Sequence, residues 1–124
     1  MGQEPWPTEL RLSEGGRMLN VSFDDGAQFA LTAELLRTQS PSAEVQGHSP
    51  QEHKTVGGKR NVAIIAVAPV GNYAVRLDFD DMHRTGIYTW HYLRELGETA
   101  SERFTAYLDE LAAKGLDRDR PGEQ

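Results

Sequence analysis

The stretch Met18-Leu19-Asn20-Val21-Ser22-Phe23-Asp24-Asp25-Gly26-Ala27-Gln28-Phe29-Ala30-Leu31 decides the fold. Leu19, Val21 and Phe23 alternate with Met18, Asn20 and Ser22, the period of two that marks a half-buried strand. Asp24-Asp25-Gly26 interrupts the run, and Phe29 and Leu31 resume it. An Asp-Gly between alternating segments is a hairpin signal, because the turn needs a residue that tolerates positive φ. The chain is therefore built around antiparallel strands.

Working outward, Glu9 to Leu12 reads as a strand stopped by Gly15-Gly16, and Met1–Pro7 as a loose lead-in. On the other side, Thr32 is placed to cap a short helix over Ala33–Thr38 with Leu35 and Leu36 inward. The segment Ser40–Arg60 is polar and reads as a loop of about 20 residues, a length that is either functional or disordered. Asn61–Val70 is rich in Val, Ile and Ala and reads as a buried strand. Tyr73–Phe79 alternates, with Tyr73, Val75, Leu77 and Phe79 on one face and Ala74, Arg76 and Asp78 on the other. Asp80–Gly86 is a turn, Ile87-Tyr88 a short strand, and Trp90, Leu93 and Leu96 take helical spacing. Thr99-Ala100-Ser101-Glu102 matches a capping box that opens a further helix. Phe104, Tyr107, Leu108, Leu111 and Ala112 form its apolar stripe, and Lys114-Gly115 its stop.

The fold class that follows is α+β. It is a single domain over 8–115, a mostly antiparallel sheet of five or six short strands with two or three helices on one face. Residues 116–124 are expected to form a frayed, charged tail.

Composition narrows the function. The 124 residues carry 19 acidic and 13 basic side chains, a formal charge of -6, and no cysteine. The charge opposes general nucleic-acid binding and anionic membranes. The lack of cysteine rules out disulfides, thiol nucleophiles and cysteine-held clusters. Val62–Val70 is too short to cross a bilayer, which takes about 20 apolar residues. Met1–Pro7 has no basic or apolar leader region, so the expected location is the cytoplasm.

Candidates for chemistry concentrate in Gly71–Trp90. His83 with Asp80 or Asp81 has the donor types of a divalent-cation or acid–base cluster. The plain alternative is a turn whose Asp residues bond their own backbone. His48, Glu52 and His53 add further donors, but they lack the i, i+4 spacing of a helical ligand pair and a proline intervenes. Val56-Gly57-Gly58-Lys59-Arg60 lacks the phosphate-cradle pattern, and no Gly-x-Ser-x-Gly elbow exists. Trp90 and Tyr107 read as core or interface anchors.

The hairpin at Asp24-Asp25-Gly26, Leu36-Arg37, Val70-Gly71-Asn72-Tyr73-Ala74-Val75, His83-Arg84-Thr85-Gly86-Ile87-Tyr88-Thr89-Trp90 and Tyr92-Leu93 together resemble the gamma-butyrobetaine hydroxylase-like N-terminal domain family. The resemblance covers about 8–97. It implies a small stand-alone protein without assigned activity, related to domains fused to dioxygenases and to P-loop iron–sulfur carriers. In the dioxygenase version the domain resembles a zinc module with a Cys-x-Cys-x-x-Cys run and a later histidine. Those positions fall here on Ser40, Ser42, Val45 and His83, so one ligand of four is kept and no zinc is expected. No cofactor is expected either. The resemblance implies a non-catalytic binding or accessory module with an unknown protein partner in iron–sulfur cofactor handling. Its expected binding surface is Asp80, Asp81, His83, Arg84, Tyr88 and Trp90, since Trp, Tyr and Arg dominate interface energetics. The rival readings are a metal-binding protein or metal-dependent enzyme on His83, Asp80 and Asp81, and a structural homodimer subunit.

Overall fold

The hairpin forms where the Asp-Gly turn puts it. The computed structural model describes residues 5–47 and 53–119. In it β1 (Pro7–Ser13), β2 (Met18–Phe23) and β3 (Gln28–Thr32) make one antiparallel sheet in that order. Leu10 faces Val21, Val21 faces Phe29 and Leu19 faces Leu31 across the ladder. The Asp25 carboxylate accepts from Ala27 N at 3.1 Å, and Gly26 takes φ 92°, the value a Cβ would penalise.

The chain then crosses over through α1 (Ala33–Thr38) and α2 (Ala43–Gln46). Thr32 Oγ1 caps α1 by accepting from Leu35 N, and Ser42 Oγ caps α2 by accepting from Glu44 N. β4 (Ile64–Val70), β5 (Ala74–Phe79) and β6 (Gly86–Thr89) form a second antiparallel sheet. The α+β class holds, but the six strands divide into two three-stranded sheets. Both sheets share one core: Leu19, Val21 and Leu31 from the first, Val75, Leu77, Phe79 and Tyr88 from the second. The Leu35–Leu36 pair of α1 and Leu93 and Leu96 of the last helix complete it. Each such side chain adds roughly 1.5–3 kcal/mol on burial.

That last helix, α3, runs from Trp90 to Ala113. The expected capping box at Thr99 does not form. Thr99 instead sits inside α3 at φ -121°, where the helix kinks. Its hydroxyl donates to Glu95 O at 2.7 Å and accepts from Arg103 Nε at 2.8 Å. A hydroxyl bonded back to the i−4 carbonyl bends a helix rather than starting one. The C-terminal stop forms as expected. Leu116 N donates to Leu111 O at 2.8 Å and Gly115 N to Ala112 O at 3.2 Å, with Gly115 at φ 69°.

Three other expectations change. Tyr73 lies before β5 starts and is exposed, whereas Ala74 on the opposite face is buried. Ala112 and Leu108 face solvent, while Tyr107 and Leu111 are buried. The tail is held through Asp119. Arg118 clamps the buried Glu34 carboxylate at 2.6 and 2.7 Å, and Gly58 N and Arg60 N donate to Asp117 O and Arg118 O. A buried carboxylate needs that cation, so the chain beyond α3 is pinned as far as it is described. The rest of the tail, and His48 and Glu52, lie outside the described residues.

Candidate functional site

The β5–β6 hairpin and the start of the crossover meet at His83. Ser40 Oγ and His83 Nε2 lie 2.9 Å apart, and His83 Nδ1 lies 3.1 Å from Glu44 Oε1. Thr85 Oγ1 donates to the same Glu44 oxygen and lies 2.7 Å from Ser42 Oγ. Ser42 N donates to Ser40 Oγ at 3.2 Å, so that hydroxyl has its own proton left for Nε2. The arrangement suits a neutral imidazole with its proton on Nδ1 toward Glu44. Burial, with help from the Arg37 charge, pushes the His83 pKa below its ordinary value against the pull of Glu44 and Asp81.

Serine, histidine and carboxylate in this order of contacts resemble a hydrolase triad, but the burial is inverted. Ser40 is fully buried, whereas the Glu44 side chain is 64% exposed. A nucleophile needs open space at Oγ for the attacked carbonyl. Here a Cβ on Gly86 would come within 2.7 Å of that oxygen. The three groups therefore act as a clamp between the crossover and the hairpin.

The resemblance to a zinc module can be tested on the same atoms. Ser40 and His83 do converge, as positions of one site should. The donor set is wrong, however. Two neutral hydroxyls already shared with His83 and Thr85, the buried and apolar Val45, and one imidazole do not make a tetrahedral zinc site. Nor do Asp80 and Asp81 bring carboxylates to the ring. Among the described residues no group of three or more His, Asp and Glu comes together to hold an ion. His53 lies with Gln46 and Glu110 instead.

Asp81 is a structural charge. Its Oδ2 receives Arg37 Nε at 2.7 Å and Lys59 Nζ at 2.6 Å, and its Oδ1 accepts from His83 N at 3.1 Å. Burial would raise its pKa, but the hydrogen bonds from Lys59 and Arg37 outweigh burial and hold it below the ordinary carboxylate value. Asp80 Oδ1 accepts from Ala63 N at 3.2 Å, tying the turn to the strand beside it.

The expected binding surface is not one patch. Tyr88 is fully buried, and its hydroxyl donates to Leu36 O, so it anchors the core and not a partner. Asp80 and Arg84 are exposed at one end of the β5–β6 hairpin. Trp90 is at the other end, about 20 Å away along a six-residue strand. There Trp90 Nε1 donates to Asn72 O at 2.9 Å, and its ring meets Trp6 edge-on at 6.4 Å. A cleft of about 270 Å³ lies between them, lined also by Pro7 and Leu10. Exposed Tyr73 follows Asn72 in the same turn. Alternation puts Tyr73 on the face of Val75, Leu77 and Phe79, and Trp6 falls in the lead-in, so the sequence marks neither as a surface anchor, yet both are exposed.

The family model described as gamma-butyrobetaine hydroxylase-like, N-terminal, matches residues 10–94. Two solution NMR structures are similar to this one. The first is 40% identical over 98% of this chain and 95% of its own, with a TM-score of 0.81. The second is 43% identical over 100% of this chain and 95% of its own, with a TM-score of 0.80. A crystal structure of a protein of unknown function from Acidithiobacillus ferrooxidans is 42% identical over 73% of this chain and 91% of its own, with a TM-score of 0.61. No curated protein matches. With the family model spanning more than half of its length, the chain belongs to the gamma-butyrobetaine hydroxylase-like N-terminal domain family.

Proposed function

We propose that the chain is a non-catalytic binding module that docks onto a protein of metal-cofactor handling, such as an iron–sulfur carrier. The observation that carries this reading is the commitment of His83 and Asp81 to the fold. One is held between Ser40 and Glu44, the other between Arg37 and Lys59. The groups best suited to chemistry are spent on rigidity, while Met82, Trp6 and Tyr73 stand exposed. Rigid display of apolar side chains is the property of a docking surface, since it lowers the ordering cost of association. The link to cofactor handling rests on the resemblance to domains fused to iron–sulfur carriers.

The test is affinity purification of the tagged chain from its native host, with mass spectrometry of what elutes. A protein retained near stoichiometry, and binding again when both are purified, is the expected result. Elution of the chain alone contradicts the reading. So does stoichiometric metal in the purified chain that His83→Ala removes.

A further inference from the structure

Among the described residues no strand pairs with the outer edge of β1. The other free edges are shorter or blunted. β4 carries Pro69, which has no N–H for a further strand, and β6 is four residues long and runs straight into α3. β3 lies against α1 and α3. β1 runs for seven residues, and its one proline is the first of them.

The ladder fixes where the backbone groups of β1 point. Ala33 N donates to Arg17 O and Phe23 N to Ala27 O, so Leu19 and Val21 between them turn their N–H and C=O toward β3. Asn20 and Ser22 turn theirs toward β1, where they meet Arg11 and Glu9. Leu10 and Leu12 therefore present their N–H and C=O groups outward. Their side chains pack on the shared core. Glu9 and Arg11 stand on the opposite face, each side chain 58% exposed and the charges 3.9 Å apart. So loose a contact along one strand holds neither charge in place.

We infer that two copies of the chain join edge to edge through β1, antiparallel about a two-fold axis at Leu10. The run Glu9-Leu10-Arg11 is its own complement. With Leu10 facing Leu10 of the other copy, the two residues exchange both backbone bonds. Glu9 of each copy then stands opposite Arg11 of the other, which makes two cross-strand pairs of opposite charge. An axis at Arg11 sets like charges face to face, and an axis at Leu12 faces Arg11 with Ser13. The charges thus select one register, and that register calls for a second copy of this strand, the isologous contact of a two-fold dimer. The apolar cleft beside Trp6 lies along the same edge, lined by Thr8 and Leu10, and the axis lays Leu12 of the other copy opposite Thr8. The ladder is short, because the register breaks between Pro7 and Glu9. The dimer is accordingly weak, with a Kd on the order of 10 μM. It does not depend on the binding-module reading.

Sedimentation equilibrium at concentrations bracketing that value shows a reversible monomer–dimer exchange for the wild-type chain. Glu9→Arg and Arg11→Glu each set like charges across the axis, and each weakens the dimer at least about tenfold. Both side chains are exposed, so the melting temperature of either variant stays within about 2 °C of the parent. Mixing the two variants restores opposite charges at every cross-strand position, and the dimer returns. Amide exchange at Leu10 and Leu12 slows as the wild-type chain is concentrated, while that at Leu19 does not change. A chain that stays monomeric overturns the inference. So does a dimer that both single variants retain, or a mixture of the two that remains monomeric. Dimerisation without added protection at Leu10 overturns it by placing the contact on another face.

Discussion

Asp81→Ala is expected to destabilise the chain by about 3 kcal/mol, the scale for removing one partner of a largely buried ion pair. The side chains of Arg37, Lys59 and Asp81 are only 12%, 20% and 18% exposed. Without the carboxylate, two cations face each other with little water to screen them. Arg37 has no slack to absorb the loss, because its Nη1 is already buried without a partner. Urea unfolding reads the effect as a lowered midpoint with an unchanged slope. A change under about 1 kcal/mol would mean the triad behaves as a solvated surface pair.

Gly16→Ala is expected to cost as much or more, about 3 kcal/mol, by a different route. Gly16 is buried at φ 88°, a backbone value that disfavours any Cβ. A Cβ there would stand 2.3 Å from the carbonyl oxygen of Ile64. That oxygen belongs to the first residue of β4, so the overlap is backbone against backbone and no side chain can swing away. Gly16 lies in the turn between β1 and β2, and a methyl group there pushes that turn off the start of β4 and strains the core the two sheets share. The same midpoint measurement applies. A variant as stable as the parent would show that the two sheets tolerate displacement at this contact.

Both substitutions concern contacts that the sequence does not advertise. What the sequence does advertise is local. Asp24-Asp25-Gly26 announces its hairpin because the turn chemistry lies within three residues. Thr32 announces α1 because the capping oxygen and the N–H that donates to it are three residues apart. Lys114-Gly115 announces the end of α3 for the same reason. Alternation along Met18–Phe23 says that one face is buried, but not against which neighbour. The split into two sheets was therefore invisible, as it depends on where α1 and α2 carry the chain. Thr99 shows the limit most clearly. Thr-x-x-Glu opens a helix when the preceding residues are extended. Here Leu93 and Leu96 already bury a helical face, and tertiary packing overrides the local signal.

The candidate site was half legible. His83 and Asp81 stand out in the sequence by type, and both are central to the structure. Their roles are not those the residue types suggest, since imidazole and carboxylate can serve as ligands or as struts depending on what reaches them first. Ser40 and Glu44 reach His83 across about forty positions, and Lys59 and Arg37 reach Asp81 from two other segments. No spacing rule connects residues so far apart. Tyr88 fell on the wrong side of the fold for the same reason, because period two assigns it a face but not which face is covered. A methionine in a turn has no motif, so the sequence does not mark Met82. Only its positive φ and exposure make it conspicuous.

The central claim is that the fold itself consumes the imidazole of His83, with Ser40 on one nitrogen and Glu44 on the other. The folded state then binds fewer protons at this ring than the unfolded chain does. Its contribution to stability is full above the ordinary imidazole pKa of about 6.5 and is lost as pH falls through the lower, folded value. Nitrogen-resolved NMR of the His83 ring, followed against pH with and without one equivalent of zinc, tests this directly. The account predicts a neutral ring protonated on Nδ1, titrating below the ordinary value and unmoved by zinc, with a melting temperature indifferent to chelator. A ring that titrates at or above that value, or that zinc shifts and chelator restores with a drop in melting temperature, would contradict it.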